Sequence, residues 1–162
     1  MALDVTVGGV SSDSYVSRDD ADAYWANRGS PVAWTSLTSD EKDAALRYAT
    51  EWLDSNYSWY STICTTTQAL GFPRNSWFDS EGRTIMGCGV IPTKIKNATC
   101  EMALQHINEN LYSTEREGLK SQSFGDASET YSSSSRSFSG IKLSLAEYGS
   151  TGKTKVNILW RA

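Results

Sequence analysis

The apolar positions of the chain gather into three stretches with helical period, separated by longer stretches with none. The first opens at Ser17, an N-cap ahead of Arg18-Asp19-Asp20, whose two carboxylates suit the positive end of a helix dipole. Ala21, Ala23, Tyr24 and Trp25 continue it, and Gly29-Ser30-Pro31 stops it. The second opens at Thr38, with Glu41 three residues on completing a capping box. Ala45, Leu46, Ala49, Trp52 and Leu53 form its stripe, and it ends near Asn56. The third begins at Pro92, preorganised in φ and needing no N–H partner there, and spans Thr93 to Tyr112. At about 100° per residue, Ile95, Ala98, Cys100, Met102, Ala103, Leu104, Ile107 and Leu111 cover a broad arc. Such a helix is surrounded by other elements, as the centre of a core or of a subunit contact.

The intervening segments read differently. Residues 1–14 are small and polar, an extended N-terminal arm. From Ser58 to Ile91 there is little period and much glycine, which predicts a long irregular excursion with a short helix near Thr66–Leu70. Beyond Gly118 a Ser-rich stretch alternates weakly about Gly125-Asp126 and predicts a polar β-hairpin arm. Tyr148 to Lys155 reads as flexible, and Val156-Asn157-Ile158-Leu159-Trp160 as a β-prone segment that needs a sheet edge. The expected fold is mainly α: a small helical bundle around a long central helix, with an extended loop, a β-hairpin arm and an extended C-terminal tail. The expected division is an arm over 1–14, a helical core over 15–117, and a hairpin arm and tail over 118–162.

Charge sharpens this picture. The net charge of −4 is unevenly spread: residues 1–54 carry −6, residues 55–117 carry −1, and residues 118–162 carry +3. An acidic body with a basic tail suits contact between copies, or a tail that seeks an acidic partner. Six Trp and eight Tyr are many for this length and suit interfaces as well as cores. Cys64, Cys88 and Cys100 are odd in number and irregular in spacing, so no disulfide framework and a reducing compartment are expected. No secretory signal and no membrane span are expected either.

Reactive constellations are scarce. His106 has no second histidine to join it and reads as a core residue. Gly152-Lys153-Thr154 resembles the end of a phosphate-binding loop, but Glu147 stands where that loop needs glycine, and too few residues follow to build its helix. No Ser/His/Asp order or paired-acid arrangement is evident. No catalytic residue, metal or cofactor is expected, and the chain is not expected to be an enzyme. For nucleic acid, Tyr57, Trp59, Tyr60, Phe72, Trp77 and Phe78 could stack bases, but only Arg74 and Arg83 lie near them in sequence. With an acidic N-terminal half, tight DNA binding is disfavoured on this reading, and weak repulsion suits a wall past which DNA slides.

A resemblance adds to this. Tyr15-Val16-Ser17, Ala21-Asp22-Ala23-Tyr24-Trp25, Trp34, Ala44-Ala45-Leu46, Ala49-Thr50, Leu53-Asp54 and Tyr57 follow one another in a familiar order. Leu70-Gly71-Phe72-Pro73-Arg74, Gly82, Ile91-Pro92, Ile95-Lys96, Ala98 and Ala103-Leu104 extend it. Over residues 15–112 the chain resembles the head-to-tail adaptor, or head-completion, proteins of tailed bacteriophages, some of which are labelled DnaT-like single-stranded-DNA-binding proteins. Phe72 stands where that pattern more usually has Trp.

The resemblance implies a non-enzymatic virion component assembled in the bacterial cytoplasm. It would form a dodecameric ring between the portal protein and the tail or nozzle protein, lining the DNA exit channel without binding DNA specifically. Phe72, Pro73, Arg74, Lys153, Lys155, Ile158, Leu159 and Trp160 are the interface residues expected on this reading. The alternative is a single-stranded nucleic-acid-binding accessory protein that uses Lys142, Lys153, Lys155 and Arg161 with the aromatics. Salt-dependent affinity for single strands separates the two.

Overall fold

A computed structural model describes residues 2–78, 81–109, 121–124, 127–130 and 139–151. These are mainly helical, with small antiparallel sheets. Helix α1 (Arg18–Ala26) starts where Ser17 caps it, the Ser17 side chain accepting from the Asp20 N–H. A short α2 (Val32–Thr35), not expected from the pattern, follows Pro31. Its purpose is to bury Trp34, whose indole N–H donates to Asp22 at 2.7 Å while the Lys42 ammonium lies 5.4 Å from its ring centre. Helix α3 (Ser39–Asn56) carries the full capping box, with Thr38 and Glu41 exchanging hydrogen bonds. Asp43 on α3 is buried, and its charge is met by Arg18 at 3.3 Å.

The chain then leaves the helices through β1 (Tyr57–Trp59) and makes an outer hairpin from β2 (Trp77–Phe78) and β3 (Thr84–Met86). Helix α4 (Thr93–Glu109) packs against α1, α2 and α3 and also against α5 (Ser139–Leu145). Ile95, Ala98, Cys100, Met102 and Ala103 of α4 are buried among them. Residues 110–112, also expected in this helix, lie outside the described residues. Between α4 and α5, β4 (Ser121–Phe124) and β5 (Ala127–Thr130) pair antiparallel across Gly125-Asp126, the hairpin that the alternation predicted. After α5, β6 (Gly149–Thr151) pairs with β1, Trp59 opposite Gly149 and Tyr57 opposite Thr151. Part of the segment expected to be flexible is thus a strand. Residues 152–162, with the expected terminal strand, lie outside the described residues.

Two segments without period are tied down by side chains. Residues 2–14 fold back on themselves: the Asp13 N–H donates to the Asp4 carbonyl at 2.9 Å, and the Asp4 N–H donates to Asp13 Oδ1 at 2.9 Å. Arg47 of α3 fastens the loop, reaching Asp13 Oδ2 at 2.6 Å and the Ala2 carbonyl at 3.0 Å. In the excursion, no helix forms at Thr66–Leu70, and the Gln68 amide instead ties the turn together from its two ends. Its Oε1 accepts from the Cys64 and Thr65 N–H groups at 3.1 Å each. Its Nε2 donates to the Leu70 carbonyl at 2.7 Å and the Pro73 carbonyl at 3.0 Å.

The excursion is also cross-linked. Cys64 and Cys88 form a disulfide, which corrects the expectation of no disulfide framework; Cys100 alone is free, buried in α4. With its cysteines 24 positions apart, the bond closes a loop for which chain entropy gives roughly 3–4 kcal/mol of stabilisation.

Candidate nucleic-acid interface

The joint between α3 and the excursion is built on one carboxylate. Asp54, near the end of α3, accepts through Oδ1 from the Trp59 indole N–H at 2.8 Å and from the Tyr15 hydroxyl, and through Oδ2 from the Gly71 N–H at 2.8 Å. Burial, with the Asp54 charge beside it, pushes the Tyr15 phenol well above its ordinary pKa, so it stays a donor. Gly71 is required by contact: a Cβ there would lie 2.6 Å from Asp54 Oδ1 and 2.8 Å from the Trp59 ring.

The Leu70–Arg74 turn enters this joint. Phe72 is 1% exposed, with its ring edge-on to those of Trp59 at 5.1 Å, Tyr15 at 6.0 Å and Tyr148 at 6.5 Å. Pro73, joined to Phe72 by a cis peptide, is buried as well. Arg74 is half-buried and donates from Nη1 to the Ser61 carbonyl at 2.7 Å. The structure therefore places Phe72 and Pro73 in the interior of the chain, with Arg74 bracing the strand outside them. Lys153, Lys155, Ile158, Leu159 and Trp160 lie outside the described residues.

What the joint presents to solvent is a different aromatic set. Tyr60 is 37% exposed, Trp77 39% and Phe78 56%. The Tyr60 and Trp77 rings stand 5.6 Å apart, tilted by 31°, and Phe78 follows Trp77 on β2. Backbone holds the two sides in register. The Asn75 N–H donates to the Thr62 carbonyl at 2.8 Å, the Ser61 hydroxyl to the Asn75 carbonyl at 3.2 Å, and Ile63 bridges Arg74. The Cys64–Cys88 bond ties the far side of β3 to the same strand. Exposed rings on a braced support are what base stacking requires.

The electrostatics of this face differ from those of the body. Residues 55–78 contain Arg74 and no carboxylate. In the turn before β3, Arg83 pairs with Glu81 at 3.0 Å, both side chains well exposed, and so the pair is worth little in water. Several acidic side chains of residues 1–54 are engaged: Asp22 with Lys42 and Trp34, Asp43 with Arg18, Asp13 with Arg47. Burial alone would raise the Asp22 carboxyl, but the hydrogen bonds from Lys42 and Trp34 outweigh it and hold the group below its ordinary value.

Two other places were candidates for chemistry. A cavity of about 360 Å³ lies between α1, α4 and α5, and its charged groups are paired. The Tyr24 hydroxyl donates to Glu101 at 2.6 Å, and Lys94 meets Glu147 at 2.5 Å. His106 packs on the Tyr48 ring, centroids 4.6 Å apart, and burial lowers its pKa. Among the described residues no three metal-binding side chains converge, and no helix is long and apolar enough to cross a membrane.

Sequence reasoning named Tyr60, Trp77 and Phe78 as possible stacking residues but did not select them. The signal was present, since they are the aromatics of a stretch without carboxylates. Comparison with known proteins bears on the choice. A family model described as "Putative DnaT-like ssDNA binding protein" matches residues 1–159, and the chain belongs to that family. No curated protein and no solved structure matches. The family's description names single-stranded DNA, which corrects two expectations: that of a portal-to-tail ring adaptor, and that of a channel wall past which DNA slides unbound. The charge argument behind the second weighed net charge over half the chain. It took no account of pairing within that half, where Asp22, Asp43 and Asp13 meet Lys42, Arg18 and Arg47.

Proposed function

We propose that this member of the DnaT-like family binds single-stranded DNA, with Tyr60, Trp77 and Phe78 as the stacking platform. The observation that carries the reading is the pairing of exposed Tyr60 and Trp77 rings on a braced support that bears no carboxylate of its own over residues 55–78. Every base has a π-face, so such a platform tolerates sequence, and each stacked base contributes about 1–3 kcal/mol. Over residues 74–86 Arg74 and Arg83 are balanced by Asp79 and Glu81, so the positive charge comes from residues 118–162, at net +3. Stacking rather than charge then provides most of the affinity, and binding is sequence-tolerant with a modest salt dependence.

The test is titration of the protein with oligo-dT, read by tryptophan quenching and by anisotropy of a labelled strand. Trp77→Ala should weaken binding about tenfold, the equivalent of one lost stacking contact. Helical circular dichroism should be unchanged, because Trp77 is on the outer hairpin. Failure of the wild-type protein to bind oligo-dT even at low salt rejects the reading.

A further inference from the structure

The aromatic face is held by a bond that chemistry can reverse. Strand β3 pairs with β2 at two positions only, Trp77 with Met86 and Phe78 with Thr84, with an irregularity between them. A two-stranded ribbon of that length is not stable by itself. The inner strand needs no such help, because residues 61–64 are fastened to 73–75 by several hydrogen bonds and by the Ile63–Arg74 bridge. The outer strand has the buried Met86 side chain and, two residues further on, the Cys88 bond to Cys64. Cys88 is exposed, so an attacking thiolate can reach it, and it sits between Gly87 and Gly89, where little side-chain bulk obstructs approach.

We propose that the Cys64–Cys88 disulfide is a redox latch on the single-strand-binding face: when it is intact β3 braces Trp77 and Phe78, and when it is reduced β3 and its glycine turn come away and the platform loosens. This inference rests on the reading of that face as the binding site. The step is a thiol–disulfide exchange with a dithiol reductant. The reductant's thiolate attacks one sulfur and forms a mixed disulfide, and its second thiolate displaces the protein. The two protein cysteines end as thiols having taken up two electrons and two protons, and the reductant ends as its own disulfide. Cys100 does not enter the exchange: it is buried in α4, and burial pushes its thiol up to about 12, leaving almost no thiolate at neutral pH.

The experiment compares oxidised protein, protein reduced with dithiothreitol, and the double variant Cys64→Ser/Cys88→Ser. Each is measured for trypsin cleavage after Arg83, for acrylamide quenching of tryptophan, and for oligo-dT affinity. Reduction should speed cleavage after Arg83 at least severalfold, raise quenching, and weaken oligo-dT binding about fivefold or more. Re-oxidation should restore all three, while far-ultraviolet circular dichroism stays constant. The double variant should behave as reduced protein and ignore dithiothreitol; if it does not fold, reduction and re-oxidation of the wild type decide the matter. Equal cleavage and quenching in the two redox states overturns the latch whether or not DNA binds. Normal loosening with no oligo-dT binding in the oxidised state rejects the single-strand reading, and the regulation of that site with it. Loosening accompanied by unchanged affinity overturns the regulation alone.

Discussion

Asp54 shows how much of this molecule turns on single polar contacts in a mostly apolar setting. Its two oxygens take three donors from three separate parts of the chain: Tyr15 before α1, Trp59 on β1 and Gly71 in the excursion. Removing the carboxylate leaves those donors without a partner, at about 1–3 kcal/mol for each that stays dry. Asp54→Ala should therefore cost about 3 kcal/mol or more in urea unfolding, and the loss should exceed that of Tyr15→Phe, which removes only one donor. A loss under 1 kcal/mol would show that water replaces the carboxylate readily. At this scale the sequence was legible as a set of positions and misleading as to their use. Leu53-Asp54 and Gly71-Phe72-Pro73-Arg74 stand out in the sequence, where Phe72, Pro73 and Arg74 are expected at an interface with another chain. Phe72 is interior because the rings of Tyr15, Trp59 and Tyr148 converge on it, and their positions along the chain give no hint of that convergence.

Elements governed by neighbours in sequence were readable, and those governed by distant partners were not. Helices α1 and α3 begin at the caps that Ser17 and Thr38 announce, because capping is settled within four residues. The β4–β5 hairpin was legible for the same reason. By contrast, β1 pairs with β6 from far along the chain, and Gly149 at one end of that pairing looks in sequence like a linker residue. Its role is close approach: a Cβ on Gly149 would fall 2.8 Å from the Trp59 ring and 2.9 Å from the Ser58 carbonyl. Gly149→Ala should force Trp59 or the strand to move, losing roughly 1–3 kcal/mol of stability as overpacking does, and changing the near-ultraviolet signal of Trp59. An unchanged spectrum and melting temperature would mean that β6 shifts outward at no cost. The disulfide escaped notice likewise, since three irregularly spaced cysteines do not reveal which two the fold brings together.

For the molecule as a whole, the question is how an acidic chain of net charge −4 would hold the polyanion proposed for it. Charge is segregated: −6 over residues 1–54 against +3 over residues 118–162, with the aromatic face between them in a stretch, residues 55–117, that carries −1. Stacking and phosphate contact can then be separated by experiment, because only the second releases counterions. Each phosphate neutralised on a single strand contributes about −0.7 to the slope of log affinity against log salt. Substituting Trp77 or Phe78 by alanine should lower affinity for oligo-dT at every salt concentration and leave the slope where it was. Ending the chain at Thr151 keeps β6 and removes Lys153, Lys155 and Arg161. If those three cations meet phosphates, the slope becomes shallower by roughly 2, while the tryptophan quenching that reports stacking persists. A truncated chain with an unchanged slope would place all the phosphate contacts on Arg74, Arg83 and their neighbours, and would make the binding face the excursion alone. Loss of quenching on truncation, with the helical signal intact, would instead show that the basic tail is needed before any base can stack.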